Sequence, residues 1–439
     1  MKPKTQALPY VEFTKEMIPK YTILVPNMLP MHFKMILAVL KTYGYHMELL
    51  ETSGPQVIET GLKYVHNDTC YPAILVIGQF MEAIQSGRYD PHKVALIQFQ
   101  TGGGCRASNY ISLLRKALQK AGYGYVPVIS FSLAGLETHS GFQLTLPKLH
   151  GMLYSVLYGD LLMTLVQQTR PYEVTTGSAQ RLADEWTARL GGELGHSSRI
   201  SYRHVRENYR KIVADFAQIP TQYRNTVQVG VVGEIFVKYS PLGNNNLEDF
   251  LVREGAEVHV PGLVDFCLYC VYNGIVDYKL YGRGRWSHCA NWAAYRFLCK
   301  KKNDMCRAIA SDGRFIPPTP FERTVQLCRN YIGIGTKMGE GWLLTAEMLE
   351  LAENGVKNIV CTQPFGCLPN HICGKGMMKP IKARNPDVNI VAIDYDSGAA
   401  KVNQENRLKL MLANARRVQS ETHRERPQTG ASVSTGTER

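Results

Sequence analysis

The chain has 439 residues, 45% of them hydrophobic and 20% charged, with 50 Lys and Arg against 37 Asp and Glu for a formal charge of +13. The length exceeds one ordinary core and the composition excludes a disordered chain, so two α/β domains are the natural expectation. The positive balance favours an acidic partner or a polyanion such as a nucleotide or coenzyme A. It argues less for nucleic acid, because the basic residues are scattered, with no basic helix, aromatic platform or zinc-finger spacing.

In chain order, Tyr21 to Pro26 reads as a buried strand, followed by an apolar-rich helix from Met31 to Thr42. A second strand is expected at Tyr45 to Leu50 and a helix at Gln56 to Val65. Ile74, Ile77, Met81 and Ile84 recur at helical spacing within Pro72 to Ser86. Lys93 to Gln100 is a short apolar strand, and Ala107 to Ala121 a helix with Tyr110, Leu114, Ala117 and Leu118 on one face. Tyr125 to Phe131 returns as a strand. Such alternation implies a parallel sheet with helices on both faces.

From Pro147 to Ile219 the pattern is helical and polar, and is expected to link two lobes. Within it, Leu149 to Val166 comes nearest to a membrane span, but His150 and Asp160 interrupt the run and a buried helix explains it better. Alternation resumes with a strand at Val227 to Val232, a helix at Leu247 to Glu254 and a strand at Glu257 to Val260. Further strands follow at Asn358 to Cys361 and Asn389 to Ile393, with a last helix from Ala399 to Ala415. The stretch from Gln419 to Arg439 is nearly devoid of apolar residues and reads as a disordered tail. The expected division is therefore an N-terminal segment 1–20, a first α/β lobe 21–146, a helical segment 147–225, a second α/β lobe 226–417 and a tail 418–439.

Eleven cysteines invite a disulfide reading, but Met1 to Lys20 lack the apolar core of a signal peptide. An odd number of thiols in a long chain without that signal points to the cytoplasm and to a metal or redox site. Three cysteines share a setting. Cys105 follows Gly102-Gly103-Gly104 between an expected strand and an expected helix. Cys70 precedes Tyr71-Pro72, where Pro suits a first helical turn, and Cys367 follows the strand ending at Cys361. In an open parallel sheet, ligands bind outside the carboxyl ends of the strands. A helix N-terminus there is expected to depress a thiol pKa, and glycine-rich backbone can donate N–H groups to the sulfides of an iron–sulfur cluster. For one such cysteine an inert buried thiol would be the better reading; three tip the balance towards a cluster.

The C-x2-C pair Cys267 and Cys270 lies in an apolar run without a second pair, and reads as core packing rather than zinc. Cys289, Cys299, Cys306 and Cys328 fall at no ligand spacing. Cys361 and Cys373 flank Cys367 as alternative auxiliary ligands, although the strand-end position of Cys361 favours burial. Beside the three cysteines, Arg106, Asn109, Glu234, Asn370 and His371 are candidates to contact the cluster or an anion. Ordinary capping explains Arg106 and Asn109 equally well, and a packed histidine or a solvated carboxylate is the commoner fate of His371 and Glu234. Gly374-Lys375-Gly376 is not a phosphate loop, and Gly333-Ile334-Gly335 lacks the third glycine of a dinucleotide fingerprint. Ala392 to Gly398 is similar to the phosphate turn of actin-like ATPases, but too little chain follows it to build that fold's cleft.

The stretches NDTCYPAILVIGQ, QTGGGCRASNYI, GEIFVKYSPLGNNNLEDFL and CTQPFGCLPNHICGKGM resemble the 2-hydroxyacyl-CoA dehydratase / benzoyl-CoA reductase-like superfamily, in its branch of activase-linked proteins of uncertain substrate. The resemblance runs from Tyr21 to Ala415. It implies two flavodoxin-like α/β lobes with a [4Fe-4S] cluster held by Cys70, Cys105 and Cys367, and a separate ATP-dependent activase as electron donor. It also implies a CoA thioester or other small molecule as substrate, and a homo- or heterodimer is expected. The scattered basic residues and the interrupted apolar run argue, independently of the resemblance, for no nucleic acid and no membrane partner. In the dehydratases of that superfamily the electron turns a CoA thioester into a ketyl radical; its reductases reduce an aromatic ring, and relatives with a double-cubane cluster reduce small molecules. A non-catalytic iron–sulfur carrier is the competing expectation.

Overall fold

The structure is a computed structural model and describes residues 10–100, 104–131, 139–196, 200–282 and 284–425. Its frame is two four-stranded parallel sheets. The first comprises β1 (Thr22–Pro26), β2 (His46–Leu50), β3 (Val94–Phe99) and β4 (Val128–Phe131), in the order β2-β1-β3-β4. The second comprises β5 (Val227–Gly233), β6 (Ala256–His259), β7 (Asn358–Pro364) and β8 (Asn389–Tyr395), in the order β6-β5-β7-β8. Both orders begin as the 2-1-3-4-5 order of flavodoxin-type sheets does. Register is set by apolar residues covered on both faces: Ile23 pairs with Met47 and Ala95, and Val231 with Val360.

Helices of the first sheet are α1 (Pro30–Lys41), α2 (Pro55–Tyr64), α3 (Tyr71–Gln85) and α4 (Tyr110–Lys120). The expected start of α4 is instead a 3-10 turn over Arg106–Asn109. Between the sheets in sequence come α5 (Leu146–Thr169), α6 (Ser178–His196) and α7 (Tyr202–Ala217). The second sheet carries α8 (Ile235–Tyr239), α9 (Pro241–Asn244), α10 (Leu247–Arg253), α11 (Leu263–Tyr281), α12 (Arg285–Ala310), α13 (Phe321–Cys328), α14 (Trp342–Glu353), α15 (Met378–Arg384) and α16 (Lys401–Glu425). Periodicity did not place α11 to α14. Both α11 and α14 lack a clean polar face, because each is enclosed on most sides.

One expectation is borne out and one needs correction. Within the polar helical segment, the run expected to be a buried helix is α5, which is mostly buried and packs against α1, α6, α7 and β6. Among the described residues it is the one helix long and apolar enough to cross a membrane. The expected tail is helical through Glu425, since Leu408, Met411, Leu412 and Ala415 anchor α16; residues 426–439 lie outside the described residues. The segment before β1 contributes Phe13, which is fully buried.

Asp160 on α5 joins the two halves of the structure. Its carboxylate is 2.9 Å from Nε2 of His32 on α1 and accepts the Leu263 and Val264 N–H groups, both at 2.8 Å. The buried charge thereby satisfies the first-turn donors of α11, where a helix dipole favours an anion. Gly159 makes the approach possible, because a Cβ there would lie 2.3 Å from the His32 ring.

Candidate metal centre

Cys70, Cys105 and Cys367 lie near one another. Each is half-buried, and the Cys70 thiol is pushed up first by burial and then by the proximity of Glu234, Cys367 and Cys105. The local settings are not equivalent. Cys105 follows β3 and Cys367 follows β7, as expected, whereas Cys70 sits between two helices, as the residue preceding α3. Its turn reaches the other two because α3 packs beside β1 and α4.

The environment of the sulfurs comes from four elements. The Tyr110 hydroxyl at the start of α4 donates to Cys70 Sγ at 3.2 Å. The Ala107 N–H donates to Cys105 Sγ at 3.5 Å, and Asn370 Nδ2 to Cys367 Sγ at 3.3 Å. The same amide is 3.4 Å from Glu340 Oε2. Asn370 is fully buried and its Oδ1 has no partner. Opposite Cys105, the Gly104 N–H points at Met338 Sδ, 3.1 Å away, so the loop before α14 closes on the turn after β3.

Two carboxylates complete the group. Glu234 follows Gly233 at the end of β5 and accepts the Val237 N–H at 2.8 Å, capping α8. Glu340 accepts the Ile235 N–H at 3.0 Å. Gly233 is required for this path. Its φ is +143°, and a Cβ would lie 1.9 Å from the Thr362 carbonyl oxygen. Burial and the Glu340 charge push Glu234 up to about 8, and burial raises Glu340 as well. Lys238 is the cation beside them, but it is committed to Glu347 at 2.9 Å.

The thiols do not behave as the helix-terminus argument anticipates. Burial and then Glu234 push Cys70 well up, and burial pushes Cys367 up to about 12. The physical reason is visible at Cys70, whose sulfur makes no capping bond to the first turn of α3. Without that bond, desolvation outweighs the helix dipole. Burial disfavours the anionic forms of Cys70, Cys367, Glu234 and Glu340, and Lys238 beside the carboxylates is already paired with Glu347, a setting in which a group that brings positive charge with it would suit these donors. Two side-chain donors to sulfur also suit an iron–sulfur cluster, whose sulfurs accept such bonds. The residues present therefore fit that cofactor. Among the described residues no three His, Cys, Asp or Glu side chains are arranged to hold a single metal ion.

The other candidates separate. Arg106 and Asn109 are exposed at the rim and make no bond to a thiol among the described residues. His371 is half-buried beside Cys367, with Nε2 unpartnered. Cys361 and Cys373 are buried, and Cys299, Cys306 and Cys328 are core residues. Cys267 and Cys270 depart from the core-packing expectation: Cys267 is half-buried, while Cys270 is exposed on α11 within reach of the Glu340 charge. Among the described residues the cysteines form no disulfide. Sequence reading missed Tyr110, Met338 and Glu340. Tyr110 carried a signal only as a core residue, and Glu340 lies in a loop that no motif marks. No family model matches the chain, and a search of curated proteins found no match.

Proposed function

We propose that this chain, as two flavodoxin-like lobes joined by the α5–α7 helices, is the iron–sulfur component of an ATP-dependent radical reductase or dehydratase system. A separate activase would deliver a low-potential electron, and a small molecule, a CoA thioester being the foremost class, would receive it. The observation that carries this reading is the meeting of Cys70, Cys105 and Cys367 from three distant turns, with side-chain donors on two of the sulfurs.

Cys70, Cys105 and Cys367 would hold a [4Fe-4S] cluster, which when bound supplies one-electron chemistry and an iron without a protein ligand that can polarise a substrate oxygen. The chain's own residues then have definite tasks. Tyr110 and Asn370 orient two ligands and stabilise negative charge on their sulfurs. The Met338 loop narrows the approach to Cys105 and helps exclude water. Glu340 holds Asn370 from behind and ties it to the backbone at Ile235.

Anaerobically purified protein should contain iron and acid-labile sulfide and give a paramagnetic resonance signal after addition of activase, ATP and reductant. Protein free of iron and sulfide, or unchanged iron content in Cys70→Ala, Cys105→Ala and Cys367→Ala, would sink the reading. A spectral shift on adding an acyl-CoA separates the enzyme from a plain electron carrier, which would show a reducible cluster without one.

A further inference from the structure

The first half of α12 faces solvent with the wrong side. Its inner row is occupied: the His288 ring stacks on Tyr278 at 4.3 Å, and Tyr295 packs on Tyr272 at 5.3 Å. The outer row is Trp286, Cys289, Ala290, Ala293 and Phe297, all exposed, with Trp286 at 89%. Steps of three, four, seven and eleven residues from Trp286 describe one face of a helix. The second half of the helix follows the usual rule and buries Met305 and Ile309. An apolar stripe that an ordinary surface helix would turn inward is instead presented to solvent, and Trp292 and Tyr281 widen it.

We propose that this face of α12 docks a partner protein whose contacting surface is an apolar stripe rimmed by Asp and Glu. Charge selects the occupant. Between Asp277 and Asp304 the sequence holds no acidic residue, while Arg285, Arg296 and Lys300 border the stripe. A second copy would bring this basic face onto itself in a two-fold contact, and the chain as a whole carries +13, so like charges oppose that arrangement. An acidic rim offers each base a partner, and the aromatic and Arg content matches what interface centres use. The proposal does not depend on the metal reading, since no residue of the stripe touches the cysteine site.

The test uses the full chain and a synthetic 18-residue amphipathic helix with Leu on one face and Glu on the other, against the same peptide with Lys for Glu. Tryptophan emission and calorimetry should show binding of the Glu peptide that weakens with salt. Binding should fall at least tenfold in Trp286→Ala/Phe297→Ala, and the preference should reverse towards the Lys peptide in Arg285→Glu/Arg296→Glu. Trp286 is almost fully exposed, while Phe297 also meets Lys301 and Arg296 stacks on Trp292, so the thermal transition should move by no more than a few degrees in either variant. Equal binding of both peptides, or of neither, overturns the proposal. So does a dimer in sedimentation that the Trp286→Ala/Phe297→Ala variant abolishes, which assigns the face to a second copy. Tighter binding to anionic vesicles of phosphatidylserine than to the Glu peptide assigns it to a membrane and overturns it too.

Discussion

The Tyr110 hydroxyl donates to the Cys70 sulfur at 3.2 Å, tying the first residue of α4 to the turn before α3. Both residues belong to the first sheet's lobe. Its worth depends on the charge of the sulfur. A bond to a charged acceptor contributes about 1.5–3 kcal/mol, against about 1 kcal/mol to a neutral one.

On the proposed iron–sulfur reading, Tyr110→Phe should leave iron content and fold intact while lowering the reduction potential by tens of millivolts, roughly 60 mV for each tenfold change in a one-electron equilibrium. Redox titration followed by paramagnetic resonance measures this. An unchanged potential would show that the hydroxyl packs without stabilising the sulfur's charge.

Removing the Asp160 carboxylate strands His32 and two N–H groups of α11 in the interior. Asp160→Ala should cost on the order of 3 kcal/mol or more, since each orphaned buried group carries about 1–3 kcal/mol. Urea denaturation reads the loss directly. A cost below about 1 kcal/mol would mean that the carboxylate is not the link between α1 and α11.

At Gly233, backbone conformation and space both oppose a side chain. Gly233→Ala should destabilise by about 3 kcal/mol or more, because strain at positive φ adds to a clash with backbone that cannot move aside. On the proposed iron–sulfur reading the variant should also bind less iron, as Glu234 and the start of α8 shift. A stable variant with full iron content would contradict this account of the β5 turn.

A pH dependence follows from the buried group around Lys302, whose Nζ lies 2.5 Å from Asp265 Oδ1 and 2.6 Å from the Thr319 carbonyl. Glu350 belongs to the same group and accepts the Thr324 hydroxyl at 3.0 Å. Burial, opposed by the Lys302 charge, pushes Glu350 up from 4.5 to about 7. Between those values the folded state holds a proton that the unfolded state has released. The contribution is thus complete below the unfolded value and is lost as pH rises through about 7, with a slope of at most ~1.4 kcal/mol per pH unit. Glu350→Gln should flatten the stability profile over that window in denaturation series run on either side of it. A slope unchanged by the substitution would place the titration elsewhere.

The strands and most helices of the first lobe were legible from their apolar period, and Pro30, Pro55 and Pro72 lie in the first turns of α1, α2 and α3, whereas the start of α4, which no such residue marks, was misplaced. Neither α11 nor α14 was legible, since helices enclosed on several sides lose the polar stripe that marks the period. The Cys turns were visible as residues beside strand ends or before helices, but their chemistry was misjudged. The helix-terminus argument predicts easy ionisation, and burial beside Glu234 and Glu340 does the opposite at Cys70 and Cys367.

By itself the sequence determined where the chain alternates between strand and helix, which turns carry sulfur, and that positive charge dominates the surface. Those properties are local, set by side-chain period, backbone permission and counting. Only the tertiary structure decided that Tyr110 and Glu340 stand beside the cysteine turns, that α5 packs against both α1 and β6, and that α12 shows its apolar row to solvent. Each is a matter of which faces meet, settled by desolvation and close packing between separate elements of the fold, which the period within one element does not register.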